Sequence, residues 1–232
     1  MRSKLIRLGY HYRRSGLTAV SRATLGHFLY APLYWYNSRK LTDCPTVPRV
    51  TTVDPAEIAF STIPRHRFPH KGEDAFLGEL GGVWDRFRTD FESTTLYQSL
   101  YDRFEKGARW EDTAMYQSAR WSLEKRGRSV EQLEQRCRSI DDLYENIKTS
   151  GYSRTGVPIQ RIEETEQVTR TDDTVRVGEY RIPDEPRVGI GHDGTCIRLG
   201  GGRHRISIAR LLDIEEIPVV VLVEHPTWNG SE

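Results

Sequence analysis

The sequence predicts an α+β fold: a helical region packed with a C-terminal α/β domain. Three observations carry that reading. Residues 91–151 place apolar side chains at helical spacing between glycines. From Tyr152 the texture changes to polar and β-branched runs broken by proline and glycine. Residues 187–225 then read as strand, tight turn, strand, glycine-rich loop, helix and final strand. A chain of 232 residues forms one large domain or two small ones. Its composition divides it into a basic, aromatic-rich segment 1–42, a mainly helical region 50–151 and the domain 152–232.

The first segment has no acidic residue before Asp43, while Arg2, Lys4, Arg7, Arg13, Arg14, Arg22, Arg39 and Lys40 are basic. Phe28, Tyr30, Tyr34, Trp35 and Tyr36 follow among them. Arg22, His27 and Pro32 break any apolar run that a secretory signal would need. Basic residues beside interfacial aromatics suit an anionic membrane surface. The alternative is an extension that packs on the body of the protein or on nucleic acid. No apolar run approaches the ~20 residues that span a bilayer. A net charge of +1 gives no global drive toward nucleic acid. Cys44, Cys137 and Cys196 are isolated and odd in number, which suits a reducing compartment and fits neither a disulfide framework nor a CxxC metal site. The expected location is cytoplasmic, peripheral at the membrane.

Residues 43–49 form a proline-containing linker. Asp54-Pro55-Ala56-Glu57 has the order of cap, N1 proline and capping-box acid that starts a short helix. His66 and His70 are four apart, but Pro64 and Pro69 oppose the helix that would make them a metal pair, so no metal site is expected there. Phe91, Leu96, Leu100 and Phe104 define a helix ending at Gly107. Trp110 to Thr113 opens a second, with Met115, Tyr116, Ala119 and Leu123, ending near Gly127. Ser129 with Gln132 starts a third through Leu133 and Cys137, and Ser139 with Asp142 suggests a further start before a Gly151 cap. Strands are expected at 174–177, 180–182 and 187–190.

The chemistry concentrates near the end of the chain. Asp193-Gly194 is a hairpin signal of the type I′ class. Gly200, Gly201 and Gly202 lead into a helix whose first residues are Arg203, His204 and Arg205, and Ile217 to Val223 is a buried strand. A helix N-terminus offers unpaired N–H groups and partial positive charge, and glycines allow close backbone approach to an anion. The basic residues turn this start into a candidate phosphate cradle. The plainer reading is a glycine loop with solvated basic residues.

Gly202-Arg203-His204-Arg205, the helix behind it and Ile217-Pro218-Val219 resemble the signature of the ParB/sulfiredoxin superfamily. That resemblance implies a domain of this fold in which the loop and helix start bind nucleotide phosphates. It places Gly202, His204 and Arg205 on the matching positions. Sulfiredoxin carries its catalytic cysteine where this chain has Arg203, so that thiol chemistry is not implied. A longer pattern, from Trp84-Asp85 through Trp110, Gly151-Tyr152 and the glycine loop to His225-x-x-Trp228, resembles a ParB-like family without an established activity, often found near surface-glycan genes.

With Gly201 and Arg203 added from the glycine loop and helix start, the expected phosphate-binding set is Gly201, Gly202, Arg203, His204 and Arg205, and the resemblance implies that it takes ATP, ADP or CTP with Mg²⁺. The leading expectation is a phosphotransferase acting on a small molecule or glycan precursor. Phosphoryl transfer needs a carboxylate near the acceptor hydroxyl, and Asp193 and Asp85 are the candidates. As plain structural residues, Asp193 is a turn residue and Asp85 a helix cap. A DNA-associated protein and a non-catalytic nucleotide-sensing subunit are the alternatives. The chain reaches Glu232 a few residues past its last strand, with no downstream helix-turn-helix module, so DNA is the weaker of the two.

Overall fold

The computed structural model describes residues 48–62, 78–79, 85, 88–127, 129–161, 173–177, 180–225 and 227–228. Expectations for 1–42, for Cys44, for the histidines at 66 and 70 and for Trp84 lie outside these residues. The fold is α+β. A seven-stranded sheet contains β1 (Arg49–Val53), β2 (Phe60–Thr62), β3 (Gly78–Glu79), β4 (Arg88–Asp90), β8 (Arg187–Ile190), β9 (Cys196–Gly200) and β10 (Ile217–Glu224). A three-stranded sheet is made by β5 (Gln160–Arg161), β6 (Thr174–Val177) and β7 (Tyr180–Pro183). The helices are α1 (Thr95–Phe104), α2 (Ala114–Glu124), α3 (Glu131–Ser150) and α4 (Arg203–Leu211).

The large sheet runs β1-β10-β8-β9-β2-β4, with β3 also beside β10. β8 and β10 are parallel, β8 and β9 form an antiparallel hairpin, and β2 lies parallel to β9. Strands from before residue 91 therefore build the same sheet as those after residue 186. The region expected to be mainly helical contributes β1 to β4, which periodicity did not reveal because these strands run two to five residues. Strands so short show too few alternations to register as a period.

The alternation of side chains along a strand sends neighbours to opposite faces. Ile197, Leu199, Val220 and Leu222 pack on one side with Tyr180, Ile182 and Val175 of the small sheet. Cys196, Val219, Val221 and Val188 pack on the other with Ile206 and Ala209 of α4 and Phe91. Ile208 turns the opposite way, into a cluster with Leu100, Trp110, Leu133, Ile140 and Tyr144. Helix α4 is therefore held between the sheet and the outer helices, with its middle buried and its N-terminal turn partly exposed. Among the described residues, no helix is long and apolar enough to cross a membrane.

The helix boundaries follow local chemistry. Thr94 and Thr113 cap α1 and α2 by accepting from the backbone N–H groups of Tyr97 and Tyr116. Asp54 caps a single 3₁₀ turn, Pro55–Glu57, rather than a longer helix. Gly151, at φ 75°, closes α3. The expected break at Ser139 is absent: α3 is continuous, and the Ser139 hydroxyl donates to the Gln135 carbonyl one turn back. The β8–β9 hairpin forms, but not through a type I′ turn. Gly194 has φ 77° while Asp193 does not enter the positive region, and the Gly194 N–H donates to the Gly191 carbonyl at 3.0 Å. This is a longer loop that closes on a left-handed glycine.

Candidate functional site

The glycine loop leaves the end of β9, where sheet register sets its neighbours. Gly200 pairs with Arg187 at the start of β8. Gly201 and Gly202 then both adopt left-handed φ, 55° and 54°. Side chains other than glycine seldom take this conformation, and here contact excludes them as well. A Cβ at Gly201 would lie 2.6 Å from Nη2 of Arg187, and one at Gly202 would lie 2.5 Å from Pro186 Cγ. The missing side chains let the Pro186-Arg187 segment close under the loop.

Gly202 is the N-cap of α4, and no side chain caps this helix. The amides of Arg203, His204 and Arg205 have no intrahelical acceptor by the geometry of a first turn. With the positive end of the helix dipole behind them, they face a cleft of about 530 Å³. Its lining comprises Arg187, Arg198, Arg203, His204, Arg205, Asp184, Gly201, Gly202 and two apolar side chains, Leu143 of α3 and Val175 of β6.

Much of this guanidinium cluster is fixed from behind. Arg198 donates from Nε to the Gly201 carbonyl at 3.1 Å and from Nη1 to Ser61 Oγ at 2.9 Å, which braces the loop. Arg205 donates to the Asp184 carbonyl and, at 3.3 Å, to Glu185 Oε2. Glu185 is 1% exposed. It also accepts from the Tyr152 hydroxyl at 3.2 Å and from the Thr155 backbone N–H at 2.9 Å. Burial pushes the Tyr152 phenol well above its ordinary range, so it stays a donor to that carboxylate. Arg187 is buried and reaches Asp184 Oδ1 at 3.5 Å. Arg203 is exposed at the mouth.

His204 titrates far from its usual value. Burial, then the positive charges of Arg203, Arg136 and Arg198, push it down to about 3. Its Nε2 is buried without a hydrogen-bond partner among the described residues. The unfolded chain, with an ordinary histidine near 6.5, binds the extra proton between that pH and about 3. Stability therefore falls as pH drops through this window and is fully present above it. Replacing His204 with Gln should flatten the slope of unfolding free energy against pH between about 4.5 and 6.5. An unchanged slope in pH-resolved urea titrations would refute this assignment.

All five residues expected to bind phosphate thus line one cleft. Asp85 and Asp193 do not join them. They lie together at the opposite end of β9, beside the 191–195 turn, on the order of 15–20 Å away for a strand of this length. The carboxylate that does line the cleft is Asp184. Asp184 and Glu185 sit in the Pro183–Pro186 turn, which carries no sequence signal for a phosphate site, and Arg187 opens the strand expected at 187–190. The one signal for Arg198 was a charge inside the apolar run Cys196-Ile197-Arg198-Leu199.

No family model, curated protein or solved structure matches this chain. The cleft must therefore be read from its donors. It does not fit an Mg²⁺ ion held by the protein. Such ions need free oxygen ligands, while Asp184 is engaged by Arg187 and Arg205 and shares the cleft with four guanidinium groups. What the arrangement can do is hold an anion with several oxygens, through guanidinium forks and convergent backbone N–H groups.

Proposed function

We propose that this protein binds a nucleotide through its phosphates, as ParB-like proteins do, with the phosphates seated on the first turn of α4. The observation that carries this reading is the pair of left-handed glycines leading into an uncapped helix whose first turn, itself carrying Arg203 and Arg205, shares one cleft with Arg187 and Arg198. Each component alone is common; together they supply close approach, oriented N–H donors and bidentate charge at one point. Leu143 and Val175 offer an apolar wall for the remainder of the ligand. This geometry favours binding over phosphoryl transfer, because Asp85 and Asp193 stand at the other end of β9 and Asp184 is ion-paired.

ATP, ADP or CTP should raise the melting temperature of the purified protein with or without Mg²⁺. Arg203→Ala should weaken that response, since Arg203 is exposed and its loss leaves the fold intact. A response to none of the three nucleotides, or one that is unaltered in Arg203→Ala, would count against the proposal. Incubation with a panel of small-molecule and glycan acceptors should give ligand binding without phosphorylated product.

A further inference from the structure

A second cluster of polar groups occupies the far end of the hairpin. Strand β3 pairs with the last residues of β10 and β8 ends there too, so the 191–195 turn, the residues after β10 and Asp85 meet at one end of the sheet. Asp85 is 1% exposed. Its Oδ2 accepts from the His192 backbone N–H at 2.9 Å and faces His192 Nδ1 at 2.5 Å. Its Oδ1 has no hydrogen-bond partner among the described residues. Asp193 accepts from Arg88 at 3.0 Å through Oδ2 and from the Thr195 backbone N–H at 3.1 Å through Oδ1. One donor atom from each of Asp85, His192 and Asp193 falls within 4.8 Å of the others. Behind them His225, itself buried, packs its ring edge-on to His192 at 5.9 Å.

Two carboxylates held this close repel, and Gly191 shows how close they are: a Cβ there would lie 3.1 Å from an oxygen of each. The unpartnered oxygen of the buried Asp85 carries a desolvation cost. A cation between the three groups answers both. The backbone N–H of His192 and the Arg88 and Thr195 donors would orient the two carboxylates from outside, as the outer partners of metal ligands do.

We infer that Asp85, His192 and Asp193 form a site for one first-row divalent cation, Zn²⁺ or Mn²⁺, separate from the phosphate cleft. An imidazole among the carboxylates selects such ions over Mg²⁺ and Ca²⁺, which take oxygen ligands. The histidine spacing in the sequence could not reveal it, because the ligands come from positions 85 and 192–193.

The test is a titration of the full chain, stripped with chelator, using Zn²⁺ by calorimetry and Mn²⁺ by electron paramagnetic resonance. One ion should bind per chain, and Mg²⁺ should not compete at equal concentration. Asp193→Asn, an exposed and conservative change, and His192→Ala should each weaken binding at least about 10-fold, with circular dichroism and nucleotide response unchanged. Binding of equal strength in both variants would assign the ion to other histidines of the chain and overturn the inference. No saturable binding, or equal affinity for Mg²⁺, would overturn it as well.

Discussion

Glu185→Ala should lower the unfolding free energy by about 3 kcal/mol or more. Glu185 is 1% exposed and is the shared acceptor for Arg205, Tyr152 and Thr155. Removing it leaves Arg205, whose side chain is 22% exposed, with the Asp184 carbonyl and carboxylate alone, and takes the acceptor from the half-buried Tyr152 hydroxyl and the Thr155 amide. The cost is set less by the ion pair gained in folding than by the polar groups left without an acceptor after deletion. An exposed ion pair provides the contrast. Arg49 and Glu224 sit 2.5 Å apart across β1 and β10 with side chains 56% and 30% exposed, and Glu224→Gln should cost no more than about 1 kcal/mol. Urea unfolding of the two variants beside the wild type checks both. Similar losses would mean that the Glu185 network does not anchor the loop. Because Arg205 is placed by Glu185, nucleotide response should fall along with stability.

Gly202→Ala is the second large effect. At φ 54° a side chain costs about 1–2 kcal/mol from backbone conformation alone. The new Cβ would also lie 2.5 Å from Pro186 Cγ and 2.8 Å from Pro186 Cα. Neither atom can rotate away, since one belongs to a ring and the other to the backbone. The total loss should reach about 2–4 kcal/mol. Gly201→Ala has the same φ problem, but its clash is with the guanidinium end of Arg187, which can move. The two glycines should therefore separate. Gly202→Ala loses mainly stability, while Gly201→Ala loses less stability and more ligand affinity, because it displaces an arginine of the cleft. Denaturant midpoints and nucleotide-induced thermal shifts, measured on both variants, distinguish these outcomes; equal effects on both readouts would contradict the geometry.

The parts of the molecule that were legible in sequence are those specified by neighbours in the chain. Thr113, Gly107, Gly127 and Gly151 mark helix ends through local hydrogen bonds and local φ, and each stands where its residue type implies. Ile217 to Val223 reads as a buried strand because seven successive side chains are enclosed on both faces. Ser139 misled because a serine that can cap a helix can equally donate back to its own helix. The cradle loop was visible because its glycines and basic residues are contiguous.

The remainder of the cleft was not visible because it is assembled by register. Arg187 reaches Gly201 through the pairing of β8 with β9, and Ser61 meets Arg198 through the pairing of β2 with β9. Asp184 and Glu185 matter through a helix 18 or more residues onward, and nothing in the Pro-Asp-Glu-Pro turn announces it. The same limit applies to Asp85 and Asp193. Each was singled out on its own as a carboxylate for one phosphate site, yet the sheet brings the two together at its other end, around His192.

The central claim is that phosphate sits on the first turn of α4, and residue-resolved amide NMR tests it most directly. Titration with ADP, ATP or CTP should shift the backbone N–H resonances of Gly201 to Arg205 first and furthest, with smaller changes at Asp184 and Arg187 and none beside Asp85. Saturation of those shifts without Mg²⁺ is the predicted result. Shifts centred elsewhere, or a glycine loop that stays unmoved while nucleotide binds, would contradict it.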